Sequence, residues 1–280
     1  MNHSLLTRAF AKTPLALAGL AILGVLIAAA LLAPWLSPYE ARESFAPMLP
    51  PSRAHLLGTN DMGYDLWTEL LQGARFSLSL GACAALASSA LGLIVGVVAG
   101  YRERIGFALM RVVDVFLAVP RFPLIIFMAA FTQPGFATLF LFFALFGWPP
   151  VARIIYARIR SERTREYITA AVAAGVGERR IVLRHLLPSA LPLALTRLVA
   201  EMQHVIMAES GLSFLGLGDP TMRSWGMTLS HAFRYPALLL TDIWLWWVMP
   251  PGLAITTVCL ALVLVGLALD PLANPRLQHE

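Results

Sequence analysis

The stretch Val151–Pro188, VARIIYARIRSERTREYITAAVAAGVGERRIVLRHLLP, is the long polar island in the second half of an otherwise apolar chain. It carries eight arginines (Arg153, Arg158, Arg160, Arg163, Arg165, Arg179, Arg180 and Arg184) against three glutamates (Glu162, Glu166 and Glu178). Positive charge gathered between apolar spans places a loop on the cytoplasmic side of a membrane. Gly175 and Gly177 interrupt two helical patterns, so the loop reads as helix, turn, helix. In the first helix Tyr167, Ala170, Ala171 and Ala174 recur at helical spacing and leave a smooth surface of small residues. Such a surface suits entry into a cleft on another protein. A solvated loop that merely sets topology is the plainer alternative.

The rest of the composition agrees with a membrane setting. Of 280 residues 58% are hydrophobic and only 13% charged, which is too apolar for a soluble globular domain and reads as a polytopic membrane protein. The net charge of +5 marks cytoplasmic loops near anionic lipid, not a nucleic-acid partner. Cys83 and Cys259 both lie in apolar runs and suggest neither a disulfide framework nor a metal site.

Outward from the loop, six spans can be placed. Leu15 to Ala33 has no polar side chain and follows Arg8 and Lys12. A signal peptide competes, but its apolar core would be about 7–15 residues, shorter than this run. Residues 1–36 are therefore a tail plus a first helix, with the N-terminus inside. Residues 37–75 form a proline-rich outer loop. Within it Leu66, Leu70, Leu71 and Ala74 share a face opposite Asp65, Glu69 and Gln72, as expected of a helix lying in the interface. Residues 76–280 hold five further spans, with the polar loop at about 151–188. In the first of these Ser88, Gly92, Gly96 and Gly100 recur every fourth residue, a stripe that lets another helix approach closely. The next apolar run is cut by Gln133-Pro134-Gly135, so its helix must reach back to about Val112 to span. That places Arg121 inside the membrane and Asp114 near the inner end, as functional groups, as a buried ion pair with each other, or with Arg121 snorkelling beside the Pro120/Pro123 kink. Leu191 to Ser213 forms the fifth span. There Arg197, Glu201 and His204 fall on one face as a polar track into the bundle. Met202 and Met207 are near His204, which makes that histidine a candidate for a late transition metal, or else a hydrogen-bonded packing residue. The last span, Ile243 to Leu269, opens on a tryptophan cluster fit for the outer interface.

Three segments carry a family resemblance. Thr169-Ala170-Ala171, three residues, Gly175, nine residues and His185-Leu186-Leu187-Pro188 resembles the EAA loop of ABC importer permeases, with Thr169 where that motif has Glu and His185 where it has Ile. The stretch HLLGTNDMGYD, His55 to Asp65, resembles the H-x-LGTD-x-x-GRD segment of the permeases for dipeptides, oligopeptides and nickel, with Asn60 and Tyr64 as departures. The block ESGLSFLGLGDPTMRSWGMTL, Glu209 to Leu229, resembles the LSFLGLG…SWG signature of the same family, and its glycines and Pro220 imply an irregular element shielded by protein. Asn274-Pro275-Arg276 resembles the family's ending.

The resemblance implies an all-α membrane protein with six transmembrane helices, the type I ABC importer permease fold with its cytoplasmic coupling loop, and both termini inside. It implies the C-type permease subunit, in the inner membrane of a prokaryote, forming half of the path for di- or oligopeptides. Nickel or a nickel chelate is the alternative within the family. A second homologous permease, two cytoplasmic ATPases and an extracytoplasmic solute-binding protein are the implied partners. The resemblance places ATP and Mg on the ATPases and no cofactor on this chain, which has no G-x-x-x-x-G-K-[ST] phosphate loop and so does not bind ATP by that route. Tyr167, Thr169, Ala170, Ala171, Gly175, Leu187 and Pro188 are the expected coupling residues. Arg121, Asp114, Glu201 and His204 are the candidates for the translocation path, with Arg121 suited to a peptide carboxylate. No catalytic residue is expected. A stand-alone membrane enzyme using Glu201 and His204, or a channel or scaffold, are the competing classes.

Overall fold

The computed structural model describes residues 14–40, 43–132, 135–219 and 221–273. The expectations for Arg8 and Lys12, for Gln133-Pro134, for Pro220 and for Asn274-Pro275-Arg276 fall outside those residues. Among the described residues the chain is helical, without strands, and only two isolated bridges (Ser44 with Tyr64, Thr59 with Asp65) tie the outer loop together.

Among the described residues five helices or helix runs are long and apolar enough to cross a membrane, and a bent pair, counted as one span, makes a sixth. The spans are α1 (Pro14–Leu31), α3 (Leu66–Tyr101), the pair α4 (Glu103–Ala118) and α5 (Arg121–Phe131), α6 (Phe136–Arg163), α9 (Leu187–Phe214) and α12 (Met249–Ala273). Between them lie the short α2 (Ala33–Leu36), α7 (Glu166–Ala173), α8 (Glu178–Ile181), α10 (Trp225–Phe233) and α11 (Trp244–Trp247).

The centre is the α3–α6 pair, the most extensive helix contact in the molecule. The small-residue stripe of α3 makes it possible. A β-carbon on Gly92, Gly96 or Gly100 would stand 2.6 Å from the β-carbon of Val151, Ile155 or Ile159 respectively, so each glycine admits one ridge residue of α6. Ser88 continues the stripe toward Gly147. The stripe is therefore helix packing. It also moves a boundary. Val151 to Ile159 are not loop but the inner half of span α6, and Val151, Ala152, Ile155 and Ile159 are buried. Helix α6 runs through Pro149 and Pro150 without ending, as proline in a packed membrane helix can.

Two other expectations change. The interfacial helix near residue 66 is not separate: it is the first turns of α3, whose 36 residues start at the Asp65 cap. Its supposed water-facing side is largely covered: Asp65 and Glu69 are buried and Gln72 is half-buried. The third span is not one helix from Val112. Pro120 pushes Val119 and itself into extended backbone, and α4 and α5 meet at 76°. Helix α1 lies at the periphery against α12 and α3, with leucines at 15, 17, 20 and 31 left facing outward.

Candidate functional site

The loop after α6 is built around one carboxylate. Glu162, in the last turn of α6, is only 4% exposed. Its Oε1 accepts the Tyr167 hydroxyl at 2.6 Å and lies 3.2 Å from Arg165 Nε, while Arg158 stands 3.4 Å from Oε2. Glu162 thus ties the end of one helix to the start of the next. Burial pushes the Tyr167 hydroxyl above its ordinary value and the Glu162 carboxylate adds to the effect, so its proton stays in that bond. Ile168, on the opposite side of α7, is buried among Ile159, Ile181 and Leu186. Glu166 and Tyr167 are exposed at the start of α7, and beyond Ile168 the residues outside are Thr169, Ala170, Val172 and Ala173, with Ala171 half-buried. That face is small, apolar and uncovered.

Gly175 ends α7 for a conformational reason. Its φ is +74°, the Gly175 N–H donates to Val172 O, and the Val176 N–H donates to Ala171 O. This is a left-handed helix stop, and nothing lies within 4 Å of where a β-carbon would be, so glycine serves the backbone, not a contact. The Leu-Pro pair has an equally local role. Pro188 cannot donate to the carbonyl of Arg184, and its ring crowds it. The preceding turn widens into a π turn, Val182–Leu186, with Leu187 N–H reaching Val182 O five residues back. His185 sits in that turn, its ring 5.9 Å from the Tyr167 ring.

The path candidates are only partly brought together. Arg121 Nη1 and Nη2 donate to Glu201 Oε2 and Oε1 at 3.1 and 2.5 Å, and Nη2 also to the Phe143 carbonyl at 3.3 Å. The two side chains are 17% and 9% exposed, and Glu201 Oε1 occupies the space a side chain at Gly147 would take. The pair therefore pins α5 to α9 across the Pro120 break. Asp114 is not Arg121's partner. It faces the other way, on the straight part of α4, and pairs with Arg153 of α6. Arg197 does not join Glu201 inside either. It is exposed and, with Asp270, borders a cleft between α9 and α12. His204 is exposed on the same side of α9 as Arg197, Ala200 and Met207. Among the described residues no three His, Cys, Asp or Glu side chains come together as a metal site would need.

At the N-terminal end of α3 the other two motif segments interlock. Asn60 Nδ2 donates to Glu69 Oε1 at 3.3 Å, Arg223 meets the same oxygen at 2.9 Å, and the Arg223 guanidinium lies 4.6 Å over the Tyr64 ring. Asp65 caps α3 through Thr68 and contacts His55 Nδ1 at 3.0 Å. Trp225 fills the gap left by Gly73 and donates from Nε1 to the Leu70 carbonyl. Glu209, fully buried, accepts from Ser77 and Ser213. Reading the sequence did not single out Glu162 or the Glu69–Arg223 pair. The first had a signal, since Arg158 and Arg165 stand at i−4 and i+3 from it. The second, 154 positions apart in the chain, had none.

The chain is similar to known proteins over nearly its whole length. Residues 89–279 match the family model described as the binding-protein-dependent transport system inner membrane component, and residues 4–55 match the N-terminal TM domain of oligopeptide transport permease C. A putative peptide transport system permease protein of Brucella abortus is 36% identical, over 94% of this chain and 88% of the relative. The di/tripeptide transport system permease protein of Pseudomonas aeruginosa is 32% identical over 97% and 91%. The dipeptide transport system permease protein of Bacillus subtilis is 33% identical over 97% and 85%. Among solved structures, an inward-facing form of the MetNI methionine ABC transporter superposes with a TM-score of 0.54 at 17% identity, over 73% of this chain and 97% of that one. That likeness concerns the fold: a type I importer permease.

Proposed function

The chain belongs to the family of inner-membrane components of binding-protein-dependent transport systems, and from that premise we propose that it is half of the membrane path of an ATP-driven importer of di- or oligopeptides. The names of its relatives favour peptide over nickel. A second homologous permease would complete the path, two cytoplasmic ATPases would carry ATP and Mg, and an extracytoplasmic binding protein would deliver solute. The arginine-rich loop faces the cytoplasm, and both termini lie on that side.

The observation that carries this reading is the uncovered alanine face of α7, held from behind by Glu162 and Ile168. Ala170, Ala171 and Thr169 contact the ATPase, Gly175 stops the helix, and Tyr167, Leu187 and Pro188 join it to α9. A shift of α7 on ATP binding is passed to α9 through the π turn, and the bundle changes between two packed arrangements. The outward side of α9, with Arg197, Ala200, His204 and Met207, lines the path shared with the second permease. Charged groups at that depth belong against protein or water, not lipid. Arg121 and Glu201 hold each other and act on the path by fixing α5 to α9; a peptide carboxylate would have to displace Glu201 to reach the guanidinium.

Uptake of a labelled dipeptide by the assembled transporter in vesicles tests this, for wild type and Ala170→Glu. Residue 170 is exposed, so the variant folds. Loss of uptake together with loss of ATPase co-purification is expected. Undiminished uptake would remove α7 from the coupling role, and nickel uptake in place of peptide would move the substrate class.

A further inference from the structure

At the inner end of α3 there is a cleft of about 480 Å³ that the transport reading does not use. Its floor is apolar, made by Val97 and Val98 of α3 and by Val182 and Leu183 of the π turn. Its rim is cationic, with Arg102 and Arg179. Arg102 is bound to Glu178 at 2.7 Å. Among the described residues no ion pair involves Arg179, Arg180 or Arg184, and these three border the adjoining groove together with Leu183. Around the mouth, four arginines therefore face one carboxylate.

The two ends of the cleft are ordered along the membrane normal. Arg102 follows Tyr101, where the charge-free run of α3 ends, and Arg179 lines the same cleft from the segment after α7. The α3 half of the apolar floor, Val97 and Val98, lies inside that run, and Ile94, one turn further along the same side of α3 as Val98, is exposed beyond it, at 62% against 41% for Val98. Leu183, half-exposed among three arginines, is an apolar side chain where a cytoplasmic loop would show a polar one. A soluble partner can reach the rim but not Ile94, which lies more than a turn deeper. An amphiphile with a negative head and an acyl tail matches both ends.

We infer that this cleft binds an anionic phospholipid of the cytoplasmic leaflet, its phosphate between Arg179 and Arg102 and one acyl chain along Val97, Val98 and Ile94. The lipid bridges α3 to the segment that carries motion from α7 to α9, so acidic lipid steadies the coupling loop. The site stands apart from the choice of transported solute, and its test does not depend on it.

The test is native mass spectrometry of the complete transporter released from membranes with phosphatidylglycerol or with phosphatidylcholine. Wild type retains phosphatidylglycerol in preference to phosphatidylcholine. Arg179→Gln/Arg180→Gln, which breaks no ion pair, reduces that retention about tenfold or more, and Leu183→Asn reduces it with every charge in place. Equal retention by wild type and the double variant would overturn the proposal. So would equal retention of both lipids, which would make the cleft an apolar groove only. Loss of the ATPase subunits from the double variant with lipid retention unchanged would assign the arginines to a protein contact instead. Arg75→Gln, an exposed arginine on the outer side, is the control and leaves retention as in wild type.

Discussion

At the scale of single residues, glycines and one ion pair decide most. Gly96 is required by contact: its missing side chain is the space Ile155 occupies. Gly96→Ala therefore overpacks the α3–α6 seam and costs about 1–3 kcal/mol, seen as a lower melting temperature in detergent. Gly24→Ala, at a position with nothing within 4 Å, leaves the melting temperature unchanged or slightly raised. The Arg121–Glu201 pair behaves differently from either packing or a surface bridge. Arg121→Gln leaves the Glu201 carboxylate buried without its cation and destabilises by about 3–5 kcal/mol, whereas Arg121→Met/Glu201→Met, which removes both charges, recovers most of that loss. Thermal unfolding of the two variants checks this. A peptide-binding role for Arg121 independent of Glu201 would show instead as lost uptake at unchanged stability.

The element that matters most is α7, and its eight residues are too few to hold a helix by themselves. Its position comes from the Glu162 knot on one side and Ile168 on the other, so the two should be separable. Tyr167→Phe removes one hydrogen bond to a charged acceptor, costing about 1 kcal/mol at this half-exposed position. Glu162→Gln weakens the same bond and both arginine contacts. A double-mutant cycle on the ratio of peptide taken up to ATP hydrolysed is expected to be non-additive, with basal ATPase activity retained. Additive losses would mean that the two residues act on different things. The same segment shows how far spacing could lead. Ala170, Ala171, Gly175 and Pro188 were legible because each acts locally, as small surface, helix stop or helix start. The extent of the loop was not: Val151 to Ile159 carry Arg153 and Arg158, and only the facing glycines of α3 show that this stretch is span.

For the whole molecule, the end of the bundle where α3 begins is one packed unit made of the His55–Asp65 loop, the first turns of α3, and α10. His231 on α10 is half-buried, and that burial holds it below the ordinary histidine range, with Arg223 and Arg234 in the same sense and Asp61 against it. The unfolded chain therefore binds a proton at a pH where the folded chain does not. Stability from this group is present above about pH 6.5 and is lost as pH falls toward the lower folded value. Thermal melts between pH 8 and 5 should show a decline on the acid side that His231→Asn flattens. The membrane core, by contrast, is a bundle in which α1 packs at the periphery against α12 and α3 and the broken α4–α5 span is tied to α9 by Arg121.

The sequence by itself determined the class, the family and the small-residue helix that ends at Gly175. Apolar run length, arginine bias, and glycine or proline at helix ends act over a few residues and leave their mark in order along the chain. Only the tertiary structure decided which charges meet. Arg121 reaches Glu201, not Asp114, because Pro120 turns α5 away from α4 by 76° and so carries the guanidinium to α9. Asp114 stays behind on α4, beside Arg153 of α6. Glu69 finds Arg223 in the same manner, across 154 positions, because Gly73 lets Trp225 and its neighbours close onto α3. Partners so far apart are chosen by how the helices pack, and helix packing has no period that a one-dimensional reading can follow.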